Sequence, residues 1–441
     1  MVIIGVICSL VANDYLTIYN NNQALYKTSL EMDLERGVQF YSLENIPTGI
    51  IRESVIFIPK DKNLSLFEQN FEYDLANATK ILEKYINKSI IITTEDGVFS
   101  GLLVFHSNGN YGIQNEETNE ITIVMGTKVI NIQLAEMPDN FYTKPTLRWQ
   151  LSTNRASKYS ADLSYLTKGI EWRATYNAVL DKNEFYLNTW VTLNNQSGKD
   201  FTNVILKLIA GNVQTYQNML AKSTGLYTRG GRVNEEVNFS APAFEEREFS
   251  DFRLYTLDQK ADIANNQEKQ LSLYPLKTVK YKRKYYYNIS AAEVDVIISF
   301  KNSLANGLGV PLPKGNMNFY EIDSKDGSSQ FVGVNSIDHQ SINQEVSLKI
   351  GTAFDVKAET KILNSVNIGR ISEADYEITF TNNKSENIVL EATKIINRAN
   401  GEILSPSIPY TKKDAFSFVF NVVIESGKTV KLTFKERIDN N

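Results

Sequence analysis

The stretch from Pro145 to Ala210 constrains the fold more than any other part of the chain. It contains five runs of alternating apolar and polar residues: Thr146 to Ser152, Ala161 to Leu166, Ile170 to Leu180, Glu184 to Asn194 and Val204 to Ile209. Period-two alternation places successive side chains on opposite faces of an extended strand. Tight turns at Lys168-Gly169 and Asp181-Lys182-Asn183 connect the central runs. Connections this short join antiparallel neighbours, because a parallel return needs a crossover of a dozen or more residues. The runs therefore predict an antiparallel sheet with one buried face, which is half of a β-sandwich.

Similar patterns extend in both directions. Before this stretch, Tyr15 to Tyr19, Ala24 to Tyr26, Gly37 to Tyr41 and Val55 to Ile58 read as strands, with Asn20-Asn21-Asn22 as a turn. After it, strands are expected at Phe252 to Leu257, Leu271 to Tyr274, Thr278 to Asn288, Val294 to Phe300, Met317 to Ile322, Gln330 to Val334 and Val346 to Ile350. Residues 219–250 have the weakest pattern, with Gly225, Gly230, Gly231 and mixed charge, and read as a long exposed loop. The aromatic content of 11%, including 23 Tyr and 22 Phe, suits pleated, half-buried surfaces.

Between the N-terminal strands and the sandwich lies a unit of different character. Leu75, Ala78, Ile81, Leu82 and Tyr85 fall at helical spacing, and short strands follow at Ser89 to Thr94, Val98 to Phe105, Tyr111 to Gln114, Ile121 to Met125 and Lys128 to Leu134. Asp96-Gly97 is a hairpin signal, and Gly101 marks a bend in the second strand. In this order Ile90 to Leu103 resembles the first half of an Sm-like barrel, which implies a small barrel and nothing about RNA. The last ninety or so residues read as an immunoglobulin-like sandwich, with strands at Val356 to Ile362, Tyr376 to Asn382, Ile388 to Ile395, Ala415 to Ile424 and Thr429 to Phe434. The expected fold is all-β: consecutive β-sandwich and small-barrel domains, one short helix near residues 75–85 and a C-terminal immunoglobulin-like sandwich. The expected divisions are 1–12, 13–70, 71–138, 139–351 and 352–441.

Met1 to Ala12 is almost continuously apolar and ends in Ser9-Leu10-Val11-Ala12, which fits the core and cleavage end of a secretory signal peptide; a buried first strand is the alternative. Cys8 is the only cysteine and lies within this run, so a cleaved product would contain neither a disulfide nor a thiol nucleophile. No other apolar run reaches the roughly 20 residues of a spanning helix. The net charge of -5 argues against a general nucleic-acid binder, whose affinity needs a concentrated basic surface.

Six separated stretches together resemble the DUF4139 domain family, a group that includes mucoidy-inhibitor proteins. They are Leu163 to Trp172 (LSYLTKGIEW), Asn194 to Gly198 (NNQSG), Leu208 to Val213 (LIAGNV), Leu308 to Gly315 (LGVPLPKG), Phe331-Val332-Gly333 and Leu348 to Val356 (LKIGTAFDV). In order and spacing they cover roughly residues 140–440. The resemblance implies a β-rich, extracytoplasmic protein and transfers no activity. The coiled coil of longer relatives is absent, which removes any role that depends on it.

Chemistry-bearing residues are sparse. His106 and His339 are the only histidines and no HExxH or nucleophile-elbow pattern occurs, so both read as structural and no cofactor is expected. Asp323-Ser324-Lys325-Asp326-Gly327 lacks the spacing of a calcium loop and reads as a hairpin turn. One cluster stands out, Lys280 to Tyr287 (KYKRKYYY). On a strand, Lys280, Lys282, Lys284 and Tyr286 share one face, while Tyr281, Arg283, Tyr285 and Tyr287 share the other. The first set is the candidate surface for a sugar or anionic polymer; the alternative is a soluble strand edge above core tyrosines.

These features lead to the expectation of a non-enzymatic protein of the cell envelope or exterior, periplasmic, surface-bound or secreted, with a binding or assembly role. Its partners would be itself, other envelope proteins or glycans, with no nucleic acid and no membrane span apart from the signal. Two alternatives accompany it: a surface-layer or filament subunit joined through edge strands, and a carboxylate-dependent hydrolase of envelope polysaccharide.

Overall fold

The computed structural model describes residues 13–72, 78–136, 144–211, 244–398 and 400–439. The expected signal segment with Cys8 and most of the 219–250 loop lie outside the described residues. The protein is all-β, with six sheets and one α-helix, Ala78–Lys84, among the described residues. No described helix is long and apolar enough to cross a membrane.

The N-terminal strands are woven into the sandwich that follows them. Tyr15–Tyr19 lies parallel to Phe201–Ala210, and Gln23–Leu34 pairs with Ser157–Lys168 along twelve consecutive rungs. Gly37–Glu44 and Leu64–Glu72 flank Thr146–Thr153 on either side. One continuous core results, and it runs from Leu16 and Ile18 through Trp149, Tyr165 and Tyr176 to Phe319 and Leu348. At the end of the expected loop, Phe244–Phe249 is a strand paired with Phe252–Leu257. Its charged residues, Glu245 to Glu248, hide it from a hydrophobic pattern, and backbone pairing at a sheet edge holds it instead.

The unit from Ala78 to Glu136 is inserted between two strands that pair with each other, Leu64–Glu72 and Thr146–Thr153. It has its own core of Leu82, Tyr85, Ile90, Ile92, Leu103, Ile113 and Val124. Its strands lie in the order Val129–Leu134, Ser89–Thr94, Gly97–Ser107, Asn110–Gln114, Ile121–Met125. A Cβ on Gly101 would meet Gln114 O at 2.2 Å, so only glycine permits the bend there. The barrel is not closed, which corrects the expectation: among the described residues the outer strands do not pair with each other. The 3₁₀ turn Gly126–Lys128 joins them and redirects the chain where a closing hairpin would fold it straight back.

Leu304 to Gly315 forms a shaped connection beneath the sandwich. Leu304–Asn306 is a single 3₁₀ turn, and Gly307 follows at φ 91, where a Cβ would lie 1.9 Å from Thr278 O. Leu308 and Leu312 are buried, and the carbonyls of Pro311 and Pro313 accept hydrogen bonds from the Tyr274 and Tyr176 hydroxyls, each at 2.7 Å. Asn302 donates its Nδ2 to Val310 O at 2.8 Å and Ser341 O at 3.1 Å.

The C-terminal sandwich packs a four-stranded sheet against a six-stranded one around Ile378, Phe380, Leu390, Phe420 and Leu432. That core also holds Tyr285, Tyr287, Ile289 and Val294. Lys282–Asn288 runs parallel to Ile388–Ile395, so the six-stranded sheet draws strands from both sides of residue 351.

Candidate functional site

The strand expected from Thr278 to Asn288 is two strands, Gln267–Lys280 and Lys282–Asn288, which belong to different sheets. The chain changes sheet at Tyr281, whose amide donates to Asn183 O at 3.0 Å. The Tyr281 ring is buried 6.0 Å from the Phe185 ring, and burial pushes its hydroxyl pKa above the ordinary range. Tyr281 thus belongs to the large core, and Tyr285 and Tyr287 to the C-terminal one. The inward set follows the period-two reading, except that it serves two cores.

Lys280, Lys282 and Lys284 are exposed and line one cleft of about 1300 Å³. Lys182, from the turn between Ile170–Asp181 and Glu184–Asn195, and Lys384, from the loop before Ile388–Ile395, complete its basic groups. Five carboxylates also line it: Asp181, Glu184, Glu321, Glu386 and Glu391. Arg283 is bound to Glu321 at 2.9 Å, and Lys384 lies 3.7 Å from Glu386. Lys182, Lys280, Lys282 and Lys284 have no carboxylate within ion-pair distance among the described residues. Sequence proximity gave no access to Lys182 or Lys384, since pairing of remote strands brings them in.

Tyr286 does not line the cleft; it lies on the adjoining outer face of the six-stranded sheet. There it sits between Asp295 on one neighbouring strand and Glu391 on the other, and Glu391 in turn is opposite Asn421. Two rungs away on the same face, Val389 and Val423 are paired directly and exposed at 55% and 63%, and Val389 lines the cleft with Lys284. Asp295 is bound to Lys349 at 2.6 Å. Tyr286, Glu391 and Asn421 have no side-chain hydrogen bond among the described residues.

The other singled-out residues have local roles. His106 stacks on Tyr111 at 5.0 Å. Asp323 and Asp326 accept the Lys325 and Ser328 amides at 2.9 and 2.8 Å within the hairpin turn. Among the described residues no group of three His, Cys, Asp or Glu is placed to hold a metal ion. His339 Nδ1 accepts the Lys314 amide at 3.1 Å, just beyond Pro313. Desolvation by local packing, with the Lys314 ammonium second, lowers the His339 pKa below its ordinary 6.5, although the residue as a whole is exposed. The unfolded chain then binds the proton more readily, so His339 removes stability as pH falls through about 6.5. His339→Gln should flatten that acid-side slope in thermal melts between about pH 7 and 5; an unchanged slope would show that the imidazole does not titrate against folding.

No protein-family model matches the chain, and no curated protein matches it.

Proposed function

We propose that this chain is a non-enzymatic binding protein of the cell envelope or exterior, and that the lysine cleft holds an anionic polymer. One observation carries the reading: Lys182, Lys280, Lys282 and Lys284 converge on one cleft without carboxylate partners, in a chain of net charge -5. They share the cleft with Asp181, Glu184 and Glu391, so its charge is mixed, and the four unpaired ammonium groups are what an acidic polymer would engage. Lys282 and Lys284 are two residues apart on one strand, about 6.6 Å along it, which favours a ligand with repeated anionic groups. The apolar opening Met1 to Ala12 and the DUF4139-like stretches support a location outside the cytoplasm.

The test is calorimetric titration with polygalacturonate and inorganic polyphosphate between about 50 and 200 mM salt. Lys282→Gln/Lys284→Gln should weaken binding to the anionic ligand about tenfold or more and reduce its salt dependence. Unchanged affinity would remove the cleft from the function. Turnover of the polysaccharide, lost on substituting Glu184 or Glu391, would replace this reading with the hydrolase alternative.

A second reading rests on Val356–Ile368, the edge strand of the four-stranded sheet, which exposes Ile362 at 56%, Leu363 at 63% and Ile368 at 68%. Long apolar edges pair with other strands, so this one supports self-assembly. Light scattering that reports a strict monomer at high concentration would exclude it.

A further inference from the structure

We propose that the outer face beside the cleft is a sugar subsite, which makes the ligand an acidic glycan. This rests on the anionic-polymer reading above and narrows it. The row Tyr286, Glu391, Asn421 crosses three adjacent strands, and neighbouring strands lie about 4.8 Å apart. The row therefore offers an aromatic ring, a carboxylate and an amide in line over about 10 Å.

Each member has unused capacity that suits a sugar. A half-buried tyrosine presents a flat apolar body with a polar tip, the shape that covers the C–H face of a pyranose. Glu391 accepts hydroxyl protons and Asn421 both donates and accepts. Lys349 already engages Asp295, so on this row Glu391 is the carboxylate left for a ligand. The exposed Val389–Val423 pair lies two rungs away and adds an apolar ledge on the Lys284 side.

The carboxylate decides between ligand classes. A phosphate polymer brings only acceptors and negative charge, and Glu391 beside the lysines would repel it. A glycan with carboxylate groups uses both halves of the surface: its acid groups meet Lys282 and Lys284, while its hydroxyls donate to Glu391. Glu391 and Asn421 also line the cleft, so the two halves are continuous.

The experiment uses the full chain with oligogalacturonate and inorganic polyphosphate as separate probes. Tyr286→Ala and Glu391→Ala should each weaken oligogalacturonate binding about fivefold to tenfold, and Tyr286→Ala, which alters no charge, should leave its salt dependence unchanged. Polyphosphate binding should be unchanged in Tyr286→Ala and unchanged or tighter in Glu391→Ala. Tyr286→Phe, which keeps the ring, should retain most of the glycan affinity and controls for folding. Lys282→Gln/Lys284→Gln should weaken both probes. If the lysine variant loses both probes while Tyr286→Ala and Glu391→Ala bind oligogalacturonate as before, the sugar subsite is wrong and the anion cleft stands. A chain that binds polyphosphate but not oligogalacturonate likewise rejects the subsite and keeps the cleft, and a chain that binds neither overturns both readings.

Discussion

Asn382→Ala and Asn195→Ala should each destabilise the protein by about 2–4 kcal/mol, with the aspartate variants worse still. Both asparagines are fully buried. Asn195 Nδ2 donates to the carbonyls of Lys199, Ile263 and Ala264 at 2.9, 3.3 and 3.1 Å, and its Oδ1 accepts the Ser197 amide and hydroxyl. Asn382 repeats the arrangement in the C-terminal sandwich. Its Nδ2 donates to Glu386, Ile424 and Glu425 carbonyls at 2.8, 3.2 and 3.2 Å, and its Oδ1 accepts the Lys384 amide. Each side chain thus closes its own loop at positions two and four ahead and ties it to the end of a distant strand. Alanine leaves those buried carbonyls without a donor, and aspartate adds a repelling acceptor. Guanidinium unfolding would measure both; an aspartate variant as stable as wild type would show that the amide nitrogen is not what holds the corner.

The second large effect concerns Lys394 and Glu436, which meet at 2.5 Å between the two sheets of the C-terminal sandwich, with side chains 7% and 12% exposed. The Lys394 ammonium also lies 3.9 Å from the centre of the Tyr376 ring. Lys394→Met should cost about 3–5 kcal/mol, because it strands a carboxylate in the core. Lys394→Met/Glu436→Leu should recover most of that loss or exceed wild-type stability, since the pair's mutual attraction only offsets its desolvation. Thermal and denaturant unfolding of the single and double variants tests this. Additive losses in the double variant would mean that the two side chains are not coupled.

Local pattern carried the strands and one hairpin, but not the single antiparallel sheet expected from Pro145 to Ala210: those strands fall into three sheets, and Ser157–Lys168 and Ile170–Asp181, joined across Gly169, do not pair with each other. The alternation in Ile170–Asp181 and Glu184–Asn195 matches twelve paired rungs, and the turn between them falls at Lys182 and Asn183. Tyr281, Tyr285 and Tyr287 point inward and Lys282 and Lys284 outward, as period two requires. Remote pairing was not legible. Lys282–Asn288 takes Ile388–Ile395 as its neighbour about a hundred residues later, and nothing near Tyr281 marks a change of sheet. The site divided in the same way. Lys280, Lys282, Lys284 and Tyr286 stood out by composition, but Lys182, Glu391, Asn421 and Val423 reach that surface only through strand register and turns. The asparagine corners were not legible either, since besides the carbonyl four positions ahead each holds carbonyls 42 to 69 positions away.

The change of sheet at Tyr281 bears on where this chain can be divided. A fragment that starts at residue 352 would lack Tyr285 and Tyr287, leaving holes in its core, and would lay bare the long edge of Ile388–Ile395. A fragment that stops there would leave those tyrosines facing water. Gene segments cut at that point would yield two sticky halves, and a cut before Lys282 would instead strip Met317 and Phe319 from the large core, so no single cut divides this chain cleanly.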